Sequence, residues 1–306
     1  MKVIILVLVV SSIGHQGRAG TPCPPEKDIY PWFCINTPTS HHYTFTTVIC
    51  NRHKCERHLE NIDGRAGHMM YDRVIISGVI KEKKMKNGSV LSLPHNWLWT
   101  SRVRELEIRG TPLSGCFLCD SPLSEQKHYL NKLVVSNSVL SGTVCNNCKE
   151  RDVNNDIVDT SGLRHLRTLE TLDFSFNNLE KITVTSFPSD LVSLKTMVLS
   201  HNLISDVSSK AFTIFPALTD LDLSHNQLKI LNRDVFLNPN RNLKTLNISW
   251  NKLSVLPEGL FSQMVGLLEV NLANNLLQFL PSTTWNHDLT AVRTINLTGK
   301  FNVLHS

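Results

Sequence analysis

Five segments of this chain superimpose without a gap: LETLDFSFNNL (169–179), LKTMVLSHNLI (194–204), LTDLDLSHNQL (218–228), LKTLNISWNKL (243–253) and LLEVNLANNLL (267–277). They share LxxLxLxxNxL, with other apolar residues replacing some leucines, and their asparagines stand at 177, 202, 226, 251 and 275. The steps between them are 25, 24, 25 and 24 residues. A second column keeps the register, because ten residues after each asparagine stands an aromatic: Phe187, Phe212, Phe236, Phe261 and Trp285. A period of this length leaves few folds open, since one unit cannot bury its apolar side alone and must stack on copies of itself.

The alternation inside LxL gives a strand with one buried face: Leu221 and Leu223 point inward while Asp222 points out. One such strand per coil, stacked at about 4.8 Å, builds a parallel sheet. The repeat is that of leucine-rich repeat proteins and predicts an α/β solenoid, a horseshoe with a parallel concave sheet and the aromatics near the convex wall. Asparagine carries donors and an acceptor, so it can satisfy backbone groups where the chain turns inward. Asn177, Asn202, Asn226, Asn251 and Asn275 are therefore expected to be structural. In LNISWNKL (246–253), Leu246, Ile248 and Asn251 are expected to build the coil while Asn247, Ser249 and Trp250 face out.

The pattern extends upstream through VRELEIRGTPL (103–113) and LNKLVVSNSVL (130–140), with Thr111 and Ser138 in the asparagine slot. YDRVIISGV (71–79) reads as an earlier coil before a longer insert, and VRTINLTGK (292–300) as a later one with Lys300 in the slot. These make about eight to nine coils over residues 66–306, best defined at 169–291, above the roughly three that stability needs. A solenoid exposes the interior of its first coil, so residues 20–65, which hold Cys23, Cys34, Cys50 and Cys55, read as a disulfide-tied cap. Cys116, Cys119, Cys145 and Cys148 form two CxxC pairs on consecutive coils. Neighbouring coils come within the about 4.4–6.8 Å that a disulfide spans, and a secreted setting favours bridges over zinc. The pairing stays open.

Residues 1–19 place one lysine before an apolar run from Val3 to Val10, the layout of a secretory signal peptide. No later stretch reaches about 18 uninterrupted apolar residues, so no membrane anchor is expected. The even count of eight cysteines agrees with an extracellular, secreted chain. Its formal charge of +5, falling by two once Lys2 and Arg18 leave, is too small for a nucleic-acid footprint.

No catalytic grouping with a mechanism is present, and neither enzyme activity nor a cofactor is expected. His201 and His225 hold equivalent places on adjacent coils, but two histidines alone make an incomplete metal site. KEKKMK (81–86) reads as a solvated loop. Asn87, Asn247 and Asn296 open Asn-X-Ser/Thr triplets and are candidate glycan sites. Asn247 and Asn296 fall in the outward column of Asp173, Asp222 and Asn271, so sugars there would crowd the C-terminal part of the concave face. The candidate contacts on that face are Phe176, His201, Asp222, His225 and Trp250, the two larger aromatics foremost because such rings anchor interfaces.

The repeat phrases resemble the extracellular leucine-rich repeats of Toll-like receptors, small proteoglycans and many arthropod secreted proteins. The opening CPPEKDIYPWFC (23–34) resembles arthropod secreted proteins similar to the non-catalytic subunit of Oplophorus-luciferin 2-monooxygenase. That group carries a cysteine where Trp32 stands here, and Cys55 would substitute. The resemblance implies a secreted, non-enzymatic scaffold that binds a protein. The alternatives are a soluble pattern-recognition protein of innate defence and an auxiliary subunit of an extracellular enzyme. Self-association through an uncapped C-terminal edge is a further expectation.

Overall fold

The computed structural model describes residues 23–39, 44–51, 59, 62, 69–78, 91, 93–94, 97–114, 117–118, 122–138, 140–141, 160–236, 242–262, 264–280, 284 and 291–299. The segment 1–19, the run 81–86, Asn87, Cys55, Cys116, Cys119, Cys145, Cys148, Trp285 and Lys300 lie outside them. A short helix α1 (Glu26–Ile29) leads into β1 (Phe33–Pro38) and β2 (Thr44–Cys50). Next come β3 (Met70–Ser77), β4 (Arg102–Arg109), β5 (Leu113–Ser114), β6 (Lys132–Ser136) and β7 (Leu140–Ser141). The repeats proper supply β8 (Thr171–Asp173), β9 (Lys181–Ile182), β10 (Thr196–Val198), β11 (Asp206–Val207) and β12 (Asp220–Asp222). The series closes with β13 (Thr245–Asn247), β14 (Glu269–Asn271) and β15 (Thr294–Asn296).

One sheet runs the length of the molecule in the order β1-β2-β3-β4-β6-β8-β10-β12-β13-β14-β15. Only its first pair is antiparallel, and from β2 onward the strands are parallel. The fold is thus the expected leucine-rich repeat solenoid. The inward column Leu172, Met197, Leu221, Leu246 and Val270 is in direct register and buried. Phe187, Phe212, Phe236 and Phe261 are buried as well, with Phe212 and Phe236 stacked at 6.0 Å. They form the predicted spine.

Each slot asparagine bridges two coils. Asn226 Nδ2 donates to the carbonyls of Leu199, Leu223 and Ser224, and its Oδ1 accepts from the Ile204 amide at 3.0 Å. Asn202, Asn251 and Asn275 repeat this scheme one coil up or down. Asn177 joins the regular coils to the frayed ones: its Nδ2 reaches Val135 O at 2.7 Å and its Oδ1 accepts from Ser138 N. Ser138 itself does half the work, its hydroxyl reaching Ser136 O at 3.0 Å and Ile108 O at 3.5 Å. Among the described residues Thr111 reaches Arg109 O, within its own coil.

One expectation needs correcting. Ser249 does not face out but is buried, as are Ser175, Ser200, Ser224 and Ala273 at the same place in their coils. The chain has already begun to turn there, so period-two alternation no longer applies. The Ser249 amide and hydroxyl both donate to Asn247 Oδ1, at 3.2 and 2.7 Å.

At the N-terminal end the β1–β2 hairpin extends the sheet, and Cys23 bonds to Cys34. Cys50 is also disulfide-bonded, and Trp32 is buried in the core. Tyr71 donates its hydroxyl to Ile62 O and Trp97 its indole N–H to Leu59 O, tying the cap to the first coils.

The outward face of the early coils carries a closed charge network that the repeat pattern did not reveal. Glu107, nearly buried, meets Arg109 at 3.0 Å, Lys132 at 3.3 Å and Arg73 at 3.7 Å, while Glu105 meets Arg73. Burial pushes the Glu107 carboxyl upward, but Arg109, Lys132 and Arg73 outweigh it and hold it below the ordinary carboxylate range. A depressed folded-state value stabilises the fold above the unfolded-state pKa and is lost as pH falls through the folded one. Glu107→Gln is therefore expected to cost about 1–3 kcal/mol at neutral pH. Urea unfolding at pH 7 and at pH 3 should show that deficit shrinking in acid; an equal deficit at both would contradict the network.

Candidate functional site

The residue before each slot asparagine is forced into left-handed backbone. Phe176, His201, His225, Trp250 and Asn274 have φ of 56°, 55°, 54°, 54° and 55°. In the earlier coils the same place holds Gly78, Gly110 and Asn137, at 56°, 58° and 49°. Glycine takes this conformation freely, whereas bulky side chains pay about 1–3 kcal/mol each. Four consecutive coils nonetheless carry rings here. Retained strain of this kind points to the side chains as its reason.

The rings form one column. Phe176 stacks on His201 with centroids 4.0 Å apart, His201 on His225 at 4.0 Å, and His225 on Trp250 at 5.2 Å, all within 11° of parallel. The coil spacing sets this distance, because identical backbone angles project successive side chains along one line. Phe176 is 53% exposed and Trp250 54%, the two histidines less. Asp222 stands beside the column in the outward row of the sheet, its Oδ1 accepting from Ser224 N at 2.8 Å. The structure thus brings together all five residues named from sequence.

Their geometry argues against chelation by the two histidines. Imidazole lone pairs lie in the ring planes, so two nearly parallel rings send them side by side rather than toward one ion. Among the described residues no group of three or more His, Cys, Asp or Glu is placed to hold a metal. His225 has its pKa lowered, first by partial burial and then by His201, against the opposing pull of Asp222. Its stabilising contribution is accordingly present above the unfolded-state value and lost as pH falls. An NMR titration is expected to place the His225 midpoint below that of the unfolded chain, and lower again in Asp222→Asn. A midpoint unmoved by that substitution would contradict the assigned neighbours.

Asn247 and Asn296 lie on β13 and β15, in the same outward row two coils apart. The hydroxyl of the third triplet residue donates to the asparagine Oδ1 in both, Ser249 at 2.7 Å and Thr298 at 2.9 Å. Two exposed leucines escaped the sequence reading. Leu203 (43% exposed) and Leu276 (54% exposed) directly follow slot asparagines, where other coils have Gln227 and Lys252. An apolar residue between the asparagine and the next buried leucine was the available signal. The left-handed column had one too: Gly78 and Gly110 in the ring position.

A family model described as Leucine rich repeat matches residues 167–228 and 241–303. No curated protein matches the chain. Among solved structures, the crystal structure of a TLR13-ssRNA13 complex contains a similar chain, with a TM-score of 0.55 and 20% identity. The match covers 80% of this chain and 34% of that one, and the likeness is one of fold. Among the described residues no helix is long and apolar enough to cross a membrane.

Proposed function

We propose that this leucine-rich repeat solenoid is a secreted, glycosylated, non-catalytic scaffold that binds a protein partner. The contact surface is the concave face, with the column Phe176, His201, His225 and Trp250 as its anchor. One observation carries the reading: bulky rings occupy a strained position that glycine fills elsewhere in the same chain, and the outer two are more than half exposed. Exposed aromatic anchors are where interface energy concentrates. The match to a repeat family typical of binding scaffolds, with none to an enzyme family, supports the non-catalytic part.

Two further readings differ in the ligand. The likeness in fold to a TLR13-ssRNA13 complex favours a recognition role in innate defence. The resemblance of residues 23–34 favours an auxiliary subunit of an extracellular enzyme. Self-association along the edge of the sheet belongs to the same proposal.

The test is affinity capture with the purified glycoprotein from the fluid in which it occurs, followed by mass spectrometry. A specific protein recovered at physiological concentration supports the proposal, and recovery of the bait alone overturns it. Direct binding of protein-free microbial glycans or RNA favours the second reading. An enzyme that loses stability when the chain is removed favours the third. Mass spectrometry of the tryptic glycopeptides reports whether Asn247 and Asn296 carry sugars; a sugar on Asn247, in register with Asp222, would shield Trp250 and move the contact to the earlier coils.

A further inference from the structure

The charges beside the ring column differ from those of the earlier coils. Near the N-terminus Glu105 and Glu107 are neutralised by Arg73, Arg109 and Lys132. Beside the rings, Asp173, Asp220, Asp222 and Glu269 stand in the two outward rows of the sheet nearest the column. None of the four has a cationic partner among the described residues. From β8 to β15 those two rows contain no basic residue; the other positions are Thr, Val and Asn. The nearest cations are accounted for or more distant. Lys195 is paired with Glu170 at 2.9 Å, Lys252 lies across the rings bonded to Gln227, and Lys244 and Arg293 occupy the next row out.

The rings complement this charge. Phe176 and Trp250 end the ring stack, with Asn137 and Asn274 next in the column, and each stays more than half exposed, so a planar cation can stack on the open part of its outer face. Carboxylates hold the same cation by charge-assisted hydrogen bonds. Building on the protein-binding reading above, we propose that the occupant of this sheet face is a basic, extended segment of the partner. Its arginine or lysine heads lie over Trp250 and Phe176 and against Asp220 and Asp222. Same-face side chains of an extended segment stand about 6.5–7 Å apart, so basic residues at alternate positions reach rings and carboxylates on more than one coil.

The repeat itself supplies conservative variants. Asn247 and Asn271 hold the Asp222 position in neighbouring coils and accept the same turn amide, so Asp222→Asn keeps that bond. Thr196 and Thr245 flank Asp220 in register, so Asp220→Thr suits its place. The experiment measures fluorescence anisotropy of a short capped peptide of alternating arginine and serine against the intact protein. A glutamate–serine peptide and a single-stranded RNA of matched length serve as competing probes. The basic peptide is expected to bind at least about tenfold tighter than the acidic one and to weaken with added salt. Asp220→Thr/Asp222→Asn and, separately, Phe176→Gly/Trp250→Gly should each reduce its affinity by about tenfold or more.

Equal binding of the acidic peptide, tighter binding of the RNA, or affinity for the basic peptide unchanged in both variants would overturn the inference. Sedimentation showing this face occupied by a second copy would do the same. A captured partner that needs the rings but is not displaced by the basic peptide would sink this inference alone. The protein-binding reading would then still stand.

Discussion

Replacing Asn226 with leucine is expected to lower the unfolding free energy by about 3–5 kcal/mol. The substitution leaves the Ile204 amide without its acceptor and removes one of two donors from the carbonyls of Leu199, Leu223 and Ser224, which keep Asn202 Nδ2, Asn251 Nδ2 and the His201 amide. The orphaned amide costs about 1–3 kcal/mol and each lost carbonyl bond about 0.5–1.5 kcal/mol, reduced where the loop relaxes enough to admit water. Leucine is chosen because it keeps asparagine's branched four-heavy-atom skeleton without its hydrogen-bonding groups, so no cavity is opened. Asn226 ties its own coil to the one before it, so the damage falls on an interface as well as on a turn. In a solenoid, where each coil contacts only its neighbours, such a break separates the molecule into two cooperative blocks. Urea unfolding should therefore broaden or split as well as shift. His225→Gly, one residue away, should leave the midpoint close to wild type, and a comparable loss in both would refute the division between scaffold and surface.

The second large effect concerns binding. Phe176→Gly/Trp250→Gly removes two exposed rings and puts in their place the residue that Gly78 and Gly110 supply at the same left-handed position. Relief of backbone strain, about 1 kcal/mol per site or somewhat more, offsets the lost ring stacking of about 0.5–1.5 kcal/mol. Stability should consequently change little. Affinity for the captured partner should fall by about thirtyfold or more, since one interface anchor is worth about 2 kcal/mol. A variant that melts like the parent and binds like it would place the interface elsewhere.

Much of this was legible in the sequence because one mechanism repeats. A 24–25-residue period with asparagine in a fixed slot specifies a coil that stacks on itself, and five coils agree on it. The buried Phe212, Phe236 and Phe261 followed from the same register. Ser249 was misread because strand alternation was carried two residues past Asn247, where the backbone has already turned. The stack of rings was not foreseen either. Sequence placed Phe176, His201, His225 and Trp250 in one column, but their parallel faces depend on a left-handed φ that only Gly78 and Gly110 hinted at. The Glu107 network lay hidden for a different reason. RVRELEIR (102–109) looks like ordinary alternating charge until β3 and β6 bring Arg73 and Lys132 alongside.

The central claim is that the ring column is the surface a partner covers. Hydroxyl-radical labelling of the chain, alone and with the captured partner, measures that directly at single side chains. Oxidation of Phe176 and Trp250 is expected to fall several-fold on complex formation, as Tyr and Trp anchors do when desolvated at the centre of an interface. Trp99, 66% exposed and outside the column, serves as the internal control and should keep its reactivity. Unchanged labelling of Phe176 and Trp250 in a saturated complex, with protection at another surface, would contradict the account.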